Sequence, residues 1–353
     1  MLRKTILFAF ISIFYLNVSA QVDPIEKGLK AINEDVIKAQ VGFLASDWTE
    51  GREVGERGEF LAGDYIASML QLFGVKPFGD MISSTQRSYF QNFVLLKTIR
   101  EGEFTPYKGS PEDFGKPRAL YSILETNSAI NSNTSITQVP VRNILGIIEG
   151  RKSDEYIVLG AHYDHLGVWN EYVWTGADDN VSGTVGIMTI AKAIVETGVK
   201  PEKSIIIALW TAEEAGLLGS RYFLDNLDYP LDRIKLNLNF DMISRYIADN
   251  EPKKVDMTYT EKYHPLFRDI TVANLSKYDI DLDVNYLPSA DPPGGSDHRS
   301  FTAKGIPVMR FKPGHREEYH TSWDKVSTIN WDIMEKIIKI GFANIWNLAN
   351  TEW

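Results

Sequence analysis

Residues 156–183 read YIVLGAHYDHLGVWNEYVWTGADDNVSG and decide how the rest of the chain is interpreted. Residues 156–161 form a short apolar run with the length and β-branched content of a buried strand. His162 follows this run directly, and the acidic turn at residues 176–180 leads into a helical pattern at residues 181–197. A buried strand followed by a polar loop and a helix is the repeating unit of α/β proteins.

The same alternation of apolar runs and helical patterns continues towards the C-terminus. Apolar runs predict buried strands at residues 144–148, 156–161, 204–210, 236–240 and 306–311. Helical patterns occur at residues 181–197, 217–227, 264–277, 296–303 and 331–348. The sequence therefore predicts an α/β fold with a mostly parallel central β-sheet and helices on both faces.

The remaining sequence is consistent with one domain. Apolar residues at helical spacing predict helices between Gln21 and about residue 78. Residues 103–140 are rich in Pro, Gly, Ser and Asn, which predicts a surface excursion from the core. Since no internal repeat is visible, we expect residues 21–353 to form a single domain.

Composition excludes several classes of function. The chain has 353 residues and a formal net charge of -10, and it contains no basic run. A nucleic-acid partner is not expected, because phosphate binding needs clustered Lys and Arg. The chain contains no cysteine, which rules out disulfides, thiolate metal ligands and a cysteine nucleophile.

The N-terminus has the pattern of a secretory signal peptide. Arg3 and Lys4 precede the apolar run at residues 6–16, and small residues at 18–20 offer a cleavage site before Gln21. We expect residues 1–20 to be removed and the protein to be exported to the periplasm or the extracellular space. The alternative is a membrane anchor, but the run is shorter than the roughly 20 residues that span a bilayer. No stable membrane insertion is therefore expected after cleavage.

Reactive side chains follow four of the predicted strands. They are His162 and Asp164 after residues 156–161, Glu213 and Glu214 after 204–210, Asp241 after 236–240, and His320 one loop beyond 306–311. In an open parallel sheet, ligands bind at the edge where the carboxyl ends of the strands meet. We therefore expect these side chains to share one cavity.

Each of these motifs has a plainer interpretation when it is taken alone. His162 and Asp164 could form a structural hydrogen-bonded pair, the acidic turn at 176–180 could cap a helix, and Glu213-Glu214 could be an exposed corner. Taken together, two histidines and several carboxylates suit zinc. A set of five ligands exceeds what one catalytic zinc needs, so two zinc ions sharing a carboxylate fit better.

Five motifs occur in a recognisable order: GAHYDHLG at 160–167, GADDNVSG at 176–183, TAEEAGLLGS at 211–220, NFDM at 239–242 and SDH at 296–298. This series resembles the co-catalytic zinc aminopeptidases. Their family also contains plasma glutamate carboxypeptidase, folate hydrolase, the transferrin receptor and glutaminyl cyclase. The resemblance covers most of the chain from about Val141 onward and implies the zinc exopeptidase fold, which is phosphorylase/hydrolase-like.

The resemblance also implies a metal-binding set. By it, His162 and Asp241 hold one zinc ion, Glu214 and His320 hold a second, and Asp179 bridges the two. Two Zn²⁺ ions per chain are therefore expected.

The resemblance assigns roles to three further residues. Glu213 would be the general base, Asp164 would orient His162, and Tyr319 would stabilise the oxyanion. It also implies a cis peptide bond between Asp179 and Asn180.

The expected activity is release of the N-terminal residue from peptide substrates. Water activated by the two zinc ions would attack the scissile carbonyl, with Glu213 accepting its proton. The alternatives within the same fold are a carboxypeptidase or dipeptidase, glutaminyl cyclase, which is an acyltransferase using one zinc, and a non-catalytic receptor-like protein. The sequence carries no expectation about side-chain specificity or oligomeric state.

Overall fold

The computed structural model describes residues 23–104, 116–124, 136–246, 248–314 and 316–353. The expected signal peptide at residues 1–20 lies outside these ranges. Eight α-helices occur in the described residues: α1 (Pro24–Ala31), α2 (Glu34–Leu44), α3 (Arg57–Leu72), α4 (Gly183–Glu196), α5 (Leu218–Asp225), α6 (Leu266–Lys277), α7 (His298–Thr302) and α8 (Trp331–Asn350). All five helices predicted after residue 180 are present, with ends that move by a few residues.

The strands fall into one large sheet and one small hairpin. The sheet contains β1 (Lys76–Pro77), β2 (Phe90–Phe104), β3 (Pro117–Ile123), β4 (Ile136–Ile148), β5 (Lys152–His162), β8 (Lys203–Trp210), β9 (Ile234–Phe240), β10 (Lys254–Thr260), β11 (Asp283–Ser289) and β12 (Val308–Lys312). Its order is β11-β10-β12-β9-β5-β8-β4-β2-β3, and β1 pairs with β4. The hairpin consists of β6 (Gly167–Trp169) and β7 (Tyr172–Trp174).

The centre of the sheet is parallel and its flanks are mixed. Strands β12, β9, β5 and β8 are parallel neighbours, which confirms the predicted parallel core. Strand β4 was predicted with this group but runs antiparallel to β8. Residues 149–151 alone connect β4 to β5, and a parallel crossover needs a dozen or more residues. The antiparallel direction of β4 follows from this short connection.

Both faces of the sheet are covered, as predicted. Along β8, Ile205, Ile207 and Leu209 belong to a core that includes residues of α1–α4, α6 and α8. The alternate residues of β8 face a second core with Phe223 of α5 and Phe301 of α7. The side-chain period of two along a strand produces this division.

Part of the expected surface excursion contributes to the sheet. Within residues 103–140, β3 pairs with β2 in antiparallel register and forms one edge of the sheet. Residues 105–115 and 125–135 of this stretch lie outside the described ranges. None of the helices in the described ranges is long and apolar enough to cross a membrane.

Candidate active site

The carboxyl ends of three neighbouring parallel strands bring the expected residues together. Strand β5 ends at His162, β8 leads through Thr211 into Glu213 and Glu214, and Asp241 follows β9 directly. These residues line one cavity of about 660 Å³, together with Asp179, Tyr319 and His320. All but one of the expected site residues therefore share a cavity, and the exception, Asp164, lies buried directly behind it.

Asp179 lies between the two histidines that were expected to bind different metal ions. One carboxylate oxygen, Oδ1, is 3.4 Å from His162 Nε2, and the other, Oδ2, is 3.1 Å from His320 Nε2. Burial would raise the pKa of Asp179, but hydrogen bonds from His162 and His320 outweigh burial and hold it well below its usual range. The carboxylate therefore stays ionised and can face two cations at once.

The backbone around Asp179 is fixed by side chains from elsewhere in the chain. The Asp324 carboxylate accepts hydrogen bonds from the backbone N–H of Asp178 at 2.9 Å and of Asp179 at 2.9 Å. The peptide bond between Asp179 and Asn180 is cis, as the resemblance implied. Asn180 Oδ1 then accepts from the backbone N–H of Met242, which links this turn to the segment after β9.

Asp241 and Glu214 complete the two halves of the cluster. Asp241 Oδ1 lies 3.8 Å from His162 Nε2, and Glu214 Oε2 lies 3.4 Å from His320 Nε2. The ligand atoms of His162, Asp179 and Asp241 fall within 4.8 Å of one another, as metal ligands do. A second group with the same property shares Asp179 and contains Glu214 and His165.

Glu213 occupies the wall of the cavity beside the first group. Its Oε2 lies 4.0 Å from His162 Nε2. Burial raises the pKa of Glu213 well above its usual range, and the nearby Glu214 adds to this effect while His162 opposes it. A carboxylate with a raised proton affinity, next to one that stays ionised, is suited to proton transfer.

Asp164 lies against the cluster but contacts it differently from the expectation. Its Oδ1 is 3.7 Å from His162 Nδ1, beyond hydrogen-bond distance, and that nitrogen faces the backbone carbonyl of Asp164 at 3.2 Å. The Asp164 carboxylate accepts hydrogen bonds from the backbone N–H groups of Glu213 at 3.1 Å and Glu214 at 3.2 Å. It therefore fixes the loop that carries both glutamates.

Tyr319 stacks on His320 at the open side of the cavity, with ring centroids 3.9 Å apart. Its side chain is partly exposed, and burial of the hydroxyl raises its pKa. It reaches the cavity as expected.

The expectation from sequence did not assign a role to His165 or Asp324. His165 is fully buried, and its Nδ1 lies 3.0 Å from Glu214 Oε1, opposite the oxygen that faces His320. His165 follows Asp164 in the GAHYDHLG motif, so the sequence could have identified it as a candidate site residue. Asp324 stands in an irregular loop far along the chain, and its sequence context gives no indication of its contact with Asp179.

The donor set fits divalent zinc. Imidazole nitrogen and carboxylate oxygen are ligands of this ion, and buried carboxylates need cations or protons to offset their charge. Asp179, Asp241 and Asp164 are all at least nine-tenths buried. His162 and Asp241 would hold one ion, Glu214 and His320 would hold the other, and Asp179 would face both.

Two curated proteins show the relationship in sequence. Leucine aminopeptidase 2 of Arthroderma otae is 34% identical over 175 residues, which are 47% of this chain and 32% of that protein. The glutamate carboxypeptidase 2 homolog of Caenorhabditis elegans is 30% identical over 243 residues, which are 64% of this chain and 29% of that protein. The matches thus span about a third of the length of these relatives.

Solved structures show the same fold at low sequence identity. BSAP, a zinc aminopeptidase from Bacillus subtilis, aligns with a TM-score of 0.64 and 18% identity over 91% of this chain and 96% of that one. Glutaminyl cyclase from Porphyromonas gingivalis aligns with a TM-score of 0.60 and 15% identity over 90% of this chain and 99% of that one.

The model of peptidase family M28 matches residues 143–344, which is more than half of the chain. This match includes all five residues expected to bind metal, from His162 to His320. The chain belongs to peptidase family M28.

Proposed function

We propose that this protein is a two-zinc aminopeptidase that hydrolyses the N-terminal bond of peptides. The observation that carries the proposal is the position of Asp179, whose two carboxylate oxygens face His162 at 3.4 Å and His320 at 3.1 Å. A carboxylate placed in this way can bind a different metal ion with each of its two oxygens. His162 with Asp241, or Glu214 with His320, would supply ligands to one ion only.

A zinc pair at this position would supply a water with a lowered pKa and would polarise the carbonyl of the substrate. Residues of the chain supply proton transfer, positioning and stabilisation of the oxyanion. Glu213, at the cavity wall, accepts the proton of the attacking water and delivers it to the leaving amine. Asp164 keeps Glu213 in place through the backbone N–H of Glu213, and Tyr319, which stacks on His320 at the open side, donates to the developing oxyanion.

The alternatives differ in what they require of the site. A glutaminyl cyclase uses one zinc, so a second metal ion, and with it part of the five-ligand set, would have no role. A receptor-like protein would need neither the buried Glu213 nor the ligands. A carboxypeptidase or dipeptidase shares the same hydrolytic centre and differs in the part of the substrate that the cavity recognises.

A panel of substrates tests the proposal directly. The purified zinc-loaded protein should hydrolyse aminoacyl amides and p-nitroanilides, whereas N-acetylated versions of the same compounds should be poor substrates. Peptides with N-terminal Gln should lose that residue without forming a cyclic product. Hydrolysis of N-blocked peptides alone, or cyclisation of the Gln peptides, would contradict the aminopeptidase assignment.

Export is part of the proposal and is supported by the sequence pattern of residues 1–20. N-terminal sequencing of the mature protein should give Gln21 as its first residue. Recovery of an intact Met1 would contradict export by a cleaved signal.

A further inference from the structure

Arg310 is a buried cation in the wall of the active-site cavity. It lies on β12 and is 6% exposed, and it lines the same cavity as Glu213 and Asp241. Only its Nη1 has hydrogen-bond partners among the described residues: the Pro293 carbonyl at 2.8 Å and His298 Nε2 at 3.4 Å. The Nε and Nη2 groups are not used by these contacts.

The charge of Arg310 is not balanced by a direct ion pair. No carboxylate oxygen of the described residues lies within 4.0 Å of it, although a buried charge normally has such a partner, and the charges of Asp241 and Glu213 act on it only from a greater distance. Its neighbours in register are neutral, Asn239 on β9 and Thr258 on β10.

The other two deeply buried arginines either use most of their N–H groups or have a carboxylate partner. Arg52 donates four hydrogen bonds to the backbone carbonyls of residues 44, 163, 175 and 176. Arg245 pairs with Glu318 at 2.9 Å and also donates to the Thr328 carbonyl. A role in holding the fold together explains these two arginines, but it leaves most of the guanidinium of Arg310 without a function.

The absence of a side chain at Gly294 leaves space for this guanidinium. Gly294 has a φ of 116°, and a Cβ at this position would lie 2.1 Å from Arg310 Nη1. Any side chain here would displace the arginine head, so the glycine and the Pro293 carbonyl together fix its direction.

Lys312 is a second cation in the cavity, and its Nζ lies 3.7 Å from Met242 Sδ. It pairs in register with Asp256 on β10, and its charge lowers the pKa of Asp241. Asp241 acts on the charge of both cations, but only the guanidinium of Arg310 can offer two parallel N–H groups to one carboxylate of the substrate.

We propose that Arg310 binds a carboxylate of the substrate, so that the enzyme prefers substrates carrying a carboxylate near the scissile bond. This inference rests on the proposed peptidase function. A guanidinium matches a carboxylate with two parallel N–H···O hydrogen bonds, which an ammonium cannot do. Two sources supply such a group: the side chain of an N-terminal Glu or Asp, and the free C-terminus of a dipeptide.

Two pairs of substrates separate these sources. Glu-p-nitroanilide and Gln-p-nitroanilide differ only in the side-chain charge, and Leu-Gly and Leu-Gly-amide differ only at the C-terminus. In Arg310→Gln, kcat/KM should fall by about 10- to 100-fold for the carboxylate member of one pair, because a charge-assisted hydrogen bond is lost. For the neutral member of the same pair, kcat/KM of the variant should change by less than about twofold. The affected pair identifies the source.

Each pair of substrates contains its own control. Turnover of the neutral member reports whether the variant is folded and active, and Arg310→Lys should recover only part of the preference. Arg268→Gln, at an exposed arginine of α6, should leave all four substrates unchanged. Equal losses for both members of both pairs in Arg310→Gln would overturn the inference and assign Arg310 a purely structural role.

A binding measurement separates this inference from the proposed function. Calorimetric titration of the Glu213→Gln protein with Glu, Gln, Leu-Gly and Leu-Gly-amide should show tighter binding of one carboxylate member, and the added Arg310→Gln change should abolish it. If the wild-type protein hydrolyses none of the substrates, the proposed function fails while this result still supports the carboxylate site. Equal affinities within both pairs would reject the site whatever the activity.

Discussion

At the scale of single residues, neighbouring side chains in the site acquire different properties from their surroundings. Glu213 and Glu214 are adjacent in sequence, but only Glu214 contacts two histidines, at 3.0 and 3.4 Å. Glu213 faces the cavity without such a pair of partners, and burial raises its pKa. Metal binding and proton transfer can therefore be divided between two residues of the same type.

Glu213→Gln tests this division. Gln keeps the shape of the side chain but cannot accept the proton, so kcat should fall by about 10²- to 10⁴-fold. Zinc content should stay at the wild-type value, because Glu213 is not among the residues assigned to metal. Activity on Leu-p-nitroanilide and elemental analysis measure the two effects.

A matched control for this variant is Glu335→Gln on the surface of α8, where the glutamate pairs with Lys339. It should leave both activity and zinc unchanged. Normal turnover by Glu213→Gln would remove Glu213 from the mechanism.

The sequence located most of this site because its residues follow buried strands, whose apolar runs are easily recognised. It could not find Asp324, which reaches the Asp179 turn from a loop with no regular pattern. Nor could it show that the Asp164 carboxylate binds the backbone of the 213–214 loop rather than the imidazole of His162. Both contacts depend on how loops pack, and spacing along the chain does not encode this.

At the scale of elements, the N-terminal helices support the active-site loops from outside the stretch matched by the family model. Glu59, in the first turn of α3, contacts Thr211 Oγ1 directly after β8 and accepts from the Gly55 N–H at 2.6 Å. Arg52 joins the carbonyl of Tyr163 to those of Thr175 and Gly176. The loops that carry the candidate ligands are therefore anchored to residues 52–59.

Glu59 makes the stability of the folded protein depend on pH. Burial, with the negative charge of Asp164, raises the pKa of Glu59 from 4.5 to about 8. The folded protein thus holds a proton that the unfolded chain releases above about pH 4.5. The stabilising contribution of this proton is complete below that pH and is lost as the pH rises through 8.

Glu59→Gln should remove this contribution to the pH dependence, because Gln resembles the protonated acid. The Tm of the wild-type protein should fall more steeply between pH 5 and 8 than the Tm of the variant, measured by circular dichroism at constant zinc. Glu34→Gln, at an exposed glutamate of α2, should follow the wild-type curve. Parallel curves for wild type and Glu59→Gln would show that Glu59 titrates normally.

Strands that lack a continuous apolar run were the elements that the sequence did not predict. Strands β10 and β11 alternate between polar and apolar residues, and β11 forms one edge of the sheet with its side chains largely exposed. The central strands were predicted because both of their faces are buried. The flanks were not, because a half-exposed strand resembles a polar loop in composition.

At the scale of the whole molecule, the fold gathers acidic groups at one edge of the sheet in a chain that is already negative, with a net charge of -10. Histidines and Arg52 offset part of this local charge, and bound cations would offset the remainder. The proposed activity thus depends on two metal ions meeting at one bridging carboxylate.

Counting the metals tests this claim most directly. Elemental analysis of the zinc-loaded, dialysed protein should give two zinc ions per folded chain. The Asp179→Asn variant should lose at least one of these ions. The control variant Asp332→Asn, on the exposed side of α8, should keep both. A wild-type value of one zinc or fewer per folded chain would contradict the two-metal site.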